Sequence, residues 1–345
     1  GHTRGWNQRW RIGLRKAFDL LRDGARPFFE EEAGRLLKDP WAARDAYIQV
    51  ILEPGEESRR ALLREHGRGD LGPTEAERAL ALLEMQHQLM LQYTSCGWFF
   101  DDISGLESAQ VLRYAARALD LWTELGGEPP AAAFLDFLSQ ARSNDPARGS
   151  GAEIFREIVT GETLGPRQIL VHGLLEADRR DRDAGILGLH RYTVHERERH
   201  EHGADLLHSG RVEVQHLRTG QIHRGSCAVL QRTDLDLRAG LAEGDDPEAH
   251  AQRGRRLGEA LAQGRVEAAL EADFGDFTWT TEDLLDSGGR ELLTPLFEAA
   301  YEAFRREVGE LHRRHQRLLT GLDRLGLDYP GELRALGPLA ARWSL

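Results

Sequence analysis

The chain has 345 residues, which is long enough for two or three units with cores of their own. Its net charge of −12 argues against general nucleic-acid binding, because neutralising phosphates requires clustered positive charge. No apolar run reaches the length of a membrane span, no signal peptide is visible, and two cysteines are too few for a disulfide framework. A cytoplasmic setting without membrane contact is therefore expected.

The first part of the chain is predicted to be helical. Apolar residues recur at three- and four-residue spacing over residues 6–21 and 41–52. Pro27, Pro40 and Pro54 are expected to interrupt this pattern, because proline ends or kinks a helix.

Two capping boxes are predicted on either side of a loop. Thr74 and Glu77 have the required spacing at the start of a helix that is apolar around most of its circumference. Ser104 and Glu107 repeat the spacing at the start of a second amphipathic helix. The loop at residues 94–103 is thus expected to be held rigidly between two buried helices.

The character of the sequence changes at the charged residues 178–183. Helices are predicted before this segment, near residues 131–141, 153–159 and 166–177. Beyond it, alternating apolar residues predict short strands over residues 186–194, 211–220 and 226–231, with Thr219 and Gly220 in a turn. The strands indicate a small antiparallel sheet.

The fold class predicted from these elements is mainly α, a multi-helix bundle with a small antiparallel β-sheet insertion. The predicted units are a helical bundle at residues 1–183 and a β-rich segment at residues 184–243. A third unit, residues 244–345, is predicted to contribute helices that pack back on the bundle. Within it, an apolar seam with four- and three-residue steps at residues 297–318 indicates helix packing.

Residues 93–105 form the strongest candidate for a ligand site. Within this loop Trp98 offers a flat face to the C–H side of a sugar ring, and Asp101 and Asp102 offer acceptors for hydroxyls. Composition alone favours another interpretation, in which Trp98, Phe99 and Phe100 fill the gap between two helices and an aspartate caps a turn.

The same loop and the segment that follows it resemble a bacterial domain of unknown function, DUF3536, that is attached to the C-terminal side of glycoside hydrolase family 57-like catalytic domains. The resemblance rests on residues 92–105, on the following residues 106–119, and on the opening residues 5–11. It covers nearly the whole chain, and the loop is its most specific part.

The resemblance implies that part of this loop lines a carbohydrate cleft. In family 57 enzymes a helix after the barrel ends in a stretch rich in glutamine, serine and aspartate followed by tryptophan, and Gln92, Ser95 and Trp98 are similar to that pattern. The aspartate expected beside the tryptophan is absent, and Cys96 and Gly97 stand there instead. The full set of candidate substrate-binding residues is Trp98, Phe99, Asp101, Asp102, Gln92, Ser95, Tyr93 and Trp6.

The resemblance also implies a retaining mechanism with a glutamate nucleophile and an aspartate acid/base on a distorted (β/α) barrel. Retaining hydrolysis needs two carboxyl groups about 5 Å apart, and the adjacent Asp101 and Asp102 do not supply that arrangement. The catalytic residues are expected upstream of this chain, so that it is not catalytic alone. The expected partners are that barrel and an α-glucan or related oligosaccharide, with no cofactor.

Two further groups admit more than one interpretation. Half of the fourteen histidines lie within residues 190–223, which suggests a zinc site, but the HExxH arrangement is absent and the arginines between them oppose a cation. The prediction is therefore that no metal binds. Trp6 and Trp10 either line a groove against the barrel or pack on the bundle. The alternative function for the whole chain is a non-catalytic helical scaffold that binds a partner protein.

Overall fold

The computed structural model describes residues 5–161, 165–203, 205–232, 236–274 and 278–284, together with isolated positions between 298 and 314. Its first part, the helical unit, contains helices α1 to α9. Their bounds are Trp10–Leu36, Pro40–Ala46, Ile48–Leu52, Glu56–His66, Pro73–Leu91, Cys96–Phe99, Leu106–Glu124, Ala131–Ser139 and Gly151–Gly161, with a 3₁₀ turn at Pro146–Arg148. Mainly helical structure with a small sheet is confirmed.

The core of the helical unit is built on α1, which packs against α5 and α8. Its buried residues include a stripe at three- and four-residue steps, which is the period of one helix face. The stripe consists of Trp10, Leu14, Phe18, Leu21, Ala25, Phe29 and Ala33. Because this stripe continues on both sides of Pro27, the predicted interruption there is wrong and α1 runs on to Leu36.

Neither capping box forms as predicted: the first is displaced to Gly72 and Glu75, and α7 has no side-chain cap. Helix α5 begins at Pro73, a favourable first position for proline, and the Glu75 carboxylate accepts a hydrogen bond from the Gly72 N–H at 3.0 Å. Helix α7 begins after Gly105, while the Ser104 hydroxyl turns back toward Asp102. The predicted loop also contains the short helix α6.

The second part of the chain, the sheet unit, contains α10 (Pro166–Arg180) and a six-stranded antiparallel sheet in which each strand pairs with the next in sequence. The strands β1 to β6 are Ala184–Leu187, His190–His202, Asp205–His216, Ile222–Gln231, Leu237–Glu243 and Thr278–Thr280. The predicted turn at Gly220 is confirmed: its φ is +80°, and its N–H donates to the His216 carbonyl.

Helices cover both faces of this sheet. Helix α10 packs on one face through residues such as Leu170 and Leu174, whereas α11 (Pro247–Ala262) and α12 (Val266–Phe274) pack on the other. Covering both faces explains why six consecutive residues of β4, from Gly225 to Leu230, are buried rather than alternating. The short helix α13 (Thr281–Leu284) follows β6 directly.

This packing differs from the predicted division in two respects. Helix α10, predicted within the bundle, belongs to the core of the sheet unit because its apolar face meets β2, β3 and β4. Helices α11 and α12, predicted to pack back on the bundle, cover the sheet instead. The apolar seam at residues 297–318 lies mostly outside the described residues.

Buried charges join the two units. The guanidinium of Arg59 on α4 donates to the carbonyls of His216 and Leu217, the latter at 2.6 Å. Glu84 on α5 accepts from the Tyr47 hydroxyl at 2.8 Å and lies 3.4 Å from the guanidinium of Arg218. Burial alone would raise the pKa of Glu84, but its hydrogen bonds outweigh burial and hold that pKa at about 2.

Candidate functional site

The segment between α5 and α7 is a compact loop that contains α6. Helix α6 begins one residue after Ser95, and the Gly97 N–H donates to the Thr94 carbonyl at 3.2 Å. A Cβ at Gly97 would lie 2.3 Å from a methyl group of Val111, so only glycine allows α6 to approach α7 this closely. The backbone of the candidate loop is therefore fixed by contact with α7.

Asp102 is the main anchor of the loop. Its carboxylate accepts hydrogen bonds from the N–H and hydroxyl of Ser104, the hydroxyl of Ser143 and the N–H of Asn144. Only 7% of Asp102 is exposed. Burial alone would raise its pKa, but these four donors outweigh burial and lower it. Asp102 is thus a structural carboxylate whose acceptor sites face the protein.

Asp101 joins the loop to the first residues of the chain. Its carbonyl accepts from the indole N–H of Trp10 at 3.2 Å and from the side-chain amide of Asn144 at 2.8 Å. Its carboxylate accepts from the amide of Gln8 at 3.1 Å and remains partly exposed. Arg11 donates to two further loop carbonyls. The loop and the start of α1 are therefore one hydrogen-bonded body.

Trp98 is half-buried. Its ring stacks on Tyr93 at 6.5 Å between centroids with an interplanar angle of 8°, and it meets Phe18 edge-on at 5.8 Å. The guanidinium of Arg15 lies over both rings, 4.6 Å from the centroid of Trp98 and 5.2 Å from that of Tyr93. The indole N–H donates to the Gln92 carbonyl at 3.0 Å, so the tryptophan has no donor left for a ligand.

The exposed apolar side chains of this region lie beside Trp98. Phe99 is 78% exposed, Phe100 44% and Leu106 74%, and these three residues are called the loop surface below. Trp6, in the segment that Asn144 and Asp101 hold through Asn7 and Gln8, is 42% exposed. Of the predicted residues, Phe99 and Trp6 thus have the most accessible apolar side chains.

Gln92 and Ser95 occupy opposite environments. The Gln92 side chain is fully buried and neither of its amide atoms has a hydrogen-bond partner among the described residues, so a ligand cannot reach it without moving its neighbours. Ser95 is exposed at the start of α6. The structure therefore brings Tyr93, Trp98 and Phe99 to one region and places Gln92 beneath it.

The two adjacent carboxylates of the loop differ in their accessibility. Asp102 has its oxygens committed to internal donors and a lowered pKa, which leaves Asp101 as the accessible carboxylate of the adjacent pair. Within the described residues, no group of three or more His, Cys, Asp or Glu side chains is placed to hold a metal ion. No helix in the described part of the chain is long and apolar enough to cross a bilayer.

The histidines of residues 190–223 do not converge on one point. His195 and His202 are exposed on β2, whereas His190 and His216 pair across β2 and β3 with ring centroids 4.9 Å apart. Burial lowers the pKa of His190 to about 4 and that of His216 to about 3. The charge of Arg117 lowers both pKa values further, as do His223 at His190 and His190 at His216. His190 and His216 are therefore neutral, and their rings pack against each other on neighbouring strands.

Sequence reasoning missed three residues that build the loop region. Arg15 covers the aromatic pair, Arg11 binds the loop carbonyls, and Asn144 reaches across from the segment before the 3₁₀ turn. The spacing of Arg11 and Arg15 from Phe18 along one helix face was a usable signal. Asn144 lies more than forty residues from the loop in sequence, and no local pattern marks it.

The protein thus consists of a helical unit, which carries a rigid and partly exposed aromatic loop, joined to a sheet that is covered on both faces. Residues 6–285 match the family model described as domain of unknown function (DUF3536). The chain belongs to this family. No curated protein matches it, and no solved structure matches it. The attachment to family 57-like enzymes stays a prediction.

Proposed function

We propose that this chain is the non-catalytic accessory region of a family 57-like glycoside hydrolase or glucanotransferase. Its role is to dock on an upstream catalytic barrel, stabilise that barrel and complete the carbohydrate cleft. The observation that carries the proposal is a rigid loop that leaves the rings of Phe99 and Phe100 and the side chain of Leu106 in solvent.

The loop has a fixed backbone and yet keeps apolar side chains in solvent, a combination that the stability of its own unit does not require. Asp102 and Asn144 fix this loop through partly buried hydrogen bonds, yet the loop surface keeps exposed apolar side chains. Removing a large apolar side chain from water contributes about 1.5–3 kcal/mol. Exposed apolar side chains grouped on one loop are typical of a contact with another molecule, and a fixed backbone lowers the entropy lost on binding.

The position of the first described residues supports a partner on the upstream side. Gln8 donates to Asp101, and Asn7 exchanges hydrogen bonds with Asn144, so the chain enters α1 directly beside the loop surface. A domain joined before these residues lies within reach of Phe99 and Phe100. Trp6, exposed in the same segment, extends the apolar contact.

The aromatic stack supplies the carbohydrate contact in this proposal. Trp98 and Tyr93 form a parallel pair, and Arg15 adds a planar group with several N–H donors. Aromatic faces with a few placed polar groups are the usual lining of small-ligand sites. Trp98 acts through its ring alone because its N–H is bonded to Gln92.

The second candidate is a scaffold that binds a partner protein and no carbohydrate. The same loop surface favours it, since an exposed apolar patch serves any protein contact. The two candidates differ in whether a barrel is the partner and in whether Trp98 affects turnover of an oligosaccharide.

The first test mixes the chain with its upstream catalytic domain, each produced separately, and compares two charge substitutions. Phe99→Asp places a carboxylate on the loop surface, and Ile186→Asp places one on another exposed apolar residue, in β1. We expect Phe99→Asp to weaken association of the separately produced parts at least about tenfold, equal to about 1.4 kcal/mol. Ile186→Asp is expected to leave association unchanged.

Turnover of maltooligosaccharides by the joined protein separates the two candidates. Trp98→Ala is expected to raise KM and lower kcat/KM, because it removes the ring but leaves the catalytic carboxylates in place. Equal effects of Phe99→Asp and Ile186→Asp on association would overturn the docking proposal. Tight association with turnover insensitive to Trp98→Ala would favour the scaffold.

A further inference from the structure

A concave cleft of about 410 Å³ opens between α1, α2 and α5, and Tyr93 is one of its lining residues. Two aromatic residues line it, Trp41 from α2 and Tyr93 from the end of α5. Leu89 and Met90 add apolar surface, and Met90 is 46% exposed at the rim. Cavities of this size with aromatic walls are typical of small-ligand sites.

One polar group in the wall of this cleft is unpartnered. Gln86 is 94% buried, since only 6% of it is exposed, and its side-chain N–H₂ has no acceptor among the described residues. A buried amide without a partner costs about 1–3 kcal/mol. A ligand hydroxyl in the cleft would supply the missing acceptor. The side chain is thus an unused donor in the wall of an otherwise well-formed cavity.

The charges along the cleft are already balanced. Arg22 pairs with Asp19 and Asp23, both at less than 3.0 Å. Arg26 pairs with Glu30 at 3.2 Å. Arg44 pairs with Asp45 in the same way. A polyanion would meet these carboxylates as well as the guanidinium groups, so the cleft does not select for negative charge.

Arginine and carboxylate pairs at a surface nevertheless retain donors and acceptors for a neutral ligand. The guanidinium groups of Arg26 and Arg44 lie over the Trp41 ring, at 5.6 and 4.9 Å, and that of Arg22 lies 5.7 Å from the Tyr93 ring. Planar groups held over a ring offer their in-plane N–H donors at a low entropic cost.

We infer that this cleft binds a neutral oligosaccharide segment. Sugar hydroxyls both donate and accept hydrogen bonds, which matches alternating guanidinium, carboxylate and amide groups, while the C–H faces of the sugar match Trp41 and Tyr93. The inference rests on the proposed function only for the expectation that the whole protein acts on a glycan. Tyr93, shared by the cleft and the loop stack, connects the two places.

The experiment titrates the chain itself with maltoheptaose and with a second neutral oligosaccharide of β-linkage, using calorimetry and tryptophan fluorescence. Inorganic polyphosphate serves as the anionic probe. We expect saturable binding of a neutral oligosaccharide with a dissociation constant at or below about 1 mM and no saturable binding of polyphosphate.

Two variants place the binding in the cleft. Met90→Trp fills its rim and is expected to abolish binding, whereas Leu52→Trp adds the same ring at an exposed leucine of α3 and is expected to change nothing. Gln86→Leu is expected to weaken binding about tenfold while leaving the free energy of unfolding equal or higher, because an unpartnered buried amide is lost.

Several results would overturn the inference. The inference is wrong if neither neutral oligosaccharide binds, or if Met90→Trp leaves the binding intact. It is also wrong if polyphosphate binds saturably and the neutral oligosaccharides do not. Phe99→Asp separates the two proposals, since it lies outside the cleft and is expected to disturb docking alone. Docking without sugar binding contradicts only the cleft, and sugar binding without docking contradicts only the accessory role.

Discussion

The two units of this protein differ in how completely they cover their apolar surface. The sheet unit covers both faces of its sheet, with α10 on one and α11 and α12 on the other. The helical unit has a larger core of its own but leaves the rings of Phe99 and Phe100 exposed on its most firmly held loop. The difference indicates that the sheet unit is built mainly for its own stability and the loop for contact with another molecule.

The largest expected effect concerns the ring beneath the loop. Phe18 is fully buried and touches both Tyr93 and Trp98. Phe18→Ala should lower the free energy of unfolding by about 3–5 kcal/mol, because it removes a ring and leaves a cavity. The exposed ring is the control: Phe99→Ala should change that free energy by less than about 0.5 kcal/mol. Urea denaturation measures both, and similar losses would contradict the division between core and contact surface.

The second effect concerns the carboxylate that holds the loop. Asp102→Ala leaves the donors of Ser104, Ser143 and Asn144 without their acceptor, and it should cost about 2–3 kcal/mol of unfolding free energy. Asp205 of the sheet unit is the matched control, since it has one long ion pair, 3.9 Å from Arg232. A loss for Asp102→Ala no larger than that for Asp205→Ala in thermal denaturation would show that the loop is not anchored there.

The third effect is a loss of stability in acid that is centred on the sheet unit. Burial holds the pKa of His172 and His190 at about 4 and that of His216 at about 3. The unfolded chain binds protons on these histidines near pH 6.5, while the folded chain does not until about pH 4, so the free energy of unfolding falls as pH falls through that window.

Denaturation at a series of pH values between 7 and 5 measures this slope. His190→Gln should make it shallower, because one proton taken up by the unfolded chain is removed. His195→Gln, a change at an exposed position of the same strand, should not reduce the slope as much. Identical slopes for the two variants would contradict the assignment of His190 to a buried neutral state.

The smallest effect concerns the cation over the aromatic stack. Arg15 is exposed and lies over Trp98 and Tyr93, and an exposed cation–π contact contributes about 0.5–1 kcal/mol. Arg15→Ala should lower the free energy of unfolding by that amount and increase the fluorescence response of Trp98 to added quencher. A stability change of several kcal/mol would instead assign Arg15 to the core.

The sequence predicted elements better than it predicted their packing. Periodicity located many of the helices and the region of β1 to β4, since a period of 3.6 or 2 is a local property, but it did not indicate α4, β5 or β6. It did not assign α10 to the sheet unit, because an apolar face does not specify which surface covers it. It also ended the first helix at Pro27, although the buried stripe from Trp10 to Ala33 continues past that residue.

The segment predicted as the candidate site folds as a hydrogen-bonded, partly exposed loop, but the roles of its residues within the fold were not predictable. Asp102 was expected to bind a hydroxyl, and it binds Ser143 and Asn144, which only the folded chain brings near. No local sequence pattern predicted the cleft at Trp41 and Gln86, because its walls come from three helices whose relative positions are set by tertiary packing.

Hydrogen–deuterium exchange of the chain, alone and joined to its upstream catalytic domain, tests the central claim most directly. The loop surface is the proposed contact, so the amides of α6 and of the segment leading to Leu106 should exchange more slowly in the joined protein. The amides of β1, next to the exposed Ile186, should exchange at the same rate in both forms. Unchanged exchange in the loop, or slower exchange at β1 in its place, would contradict the account.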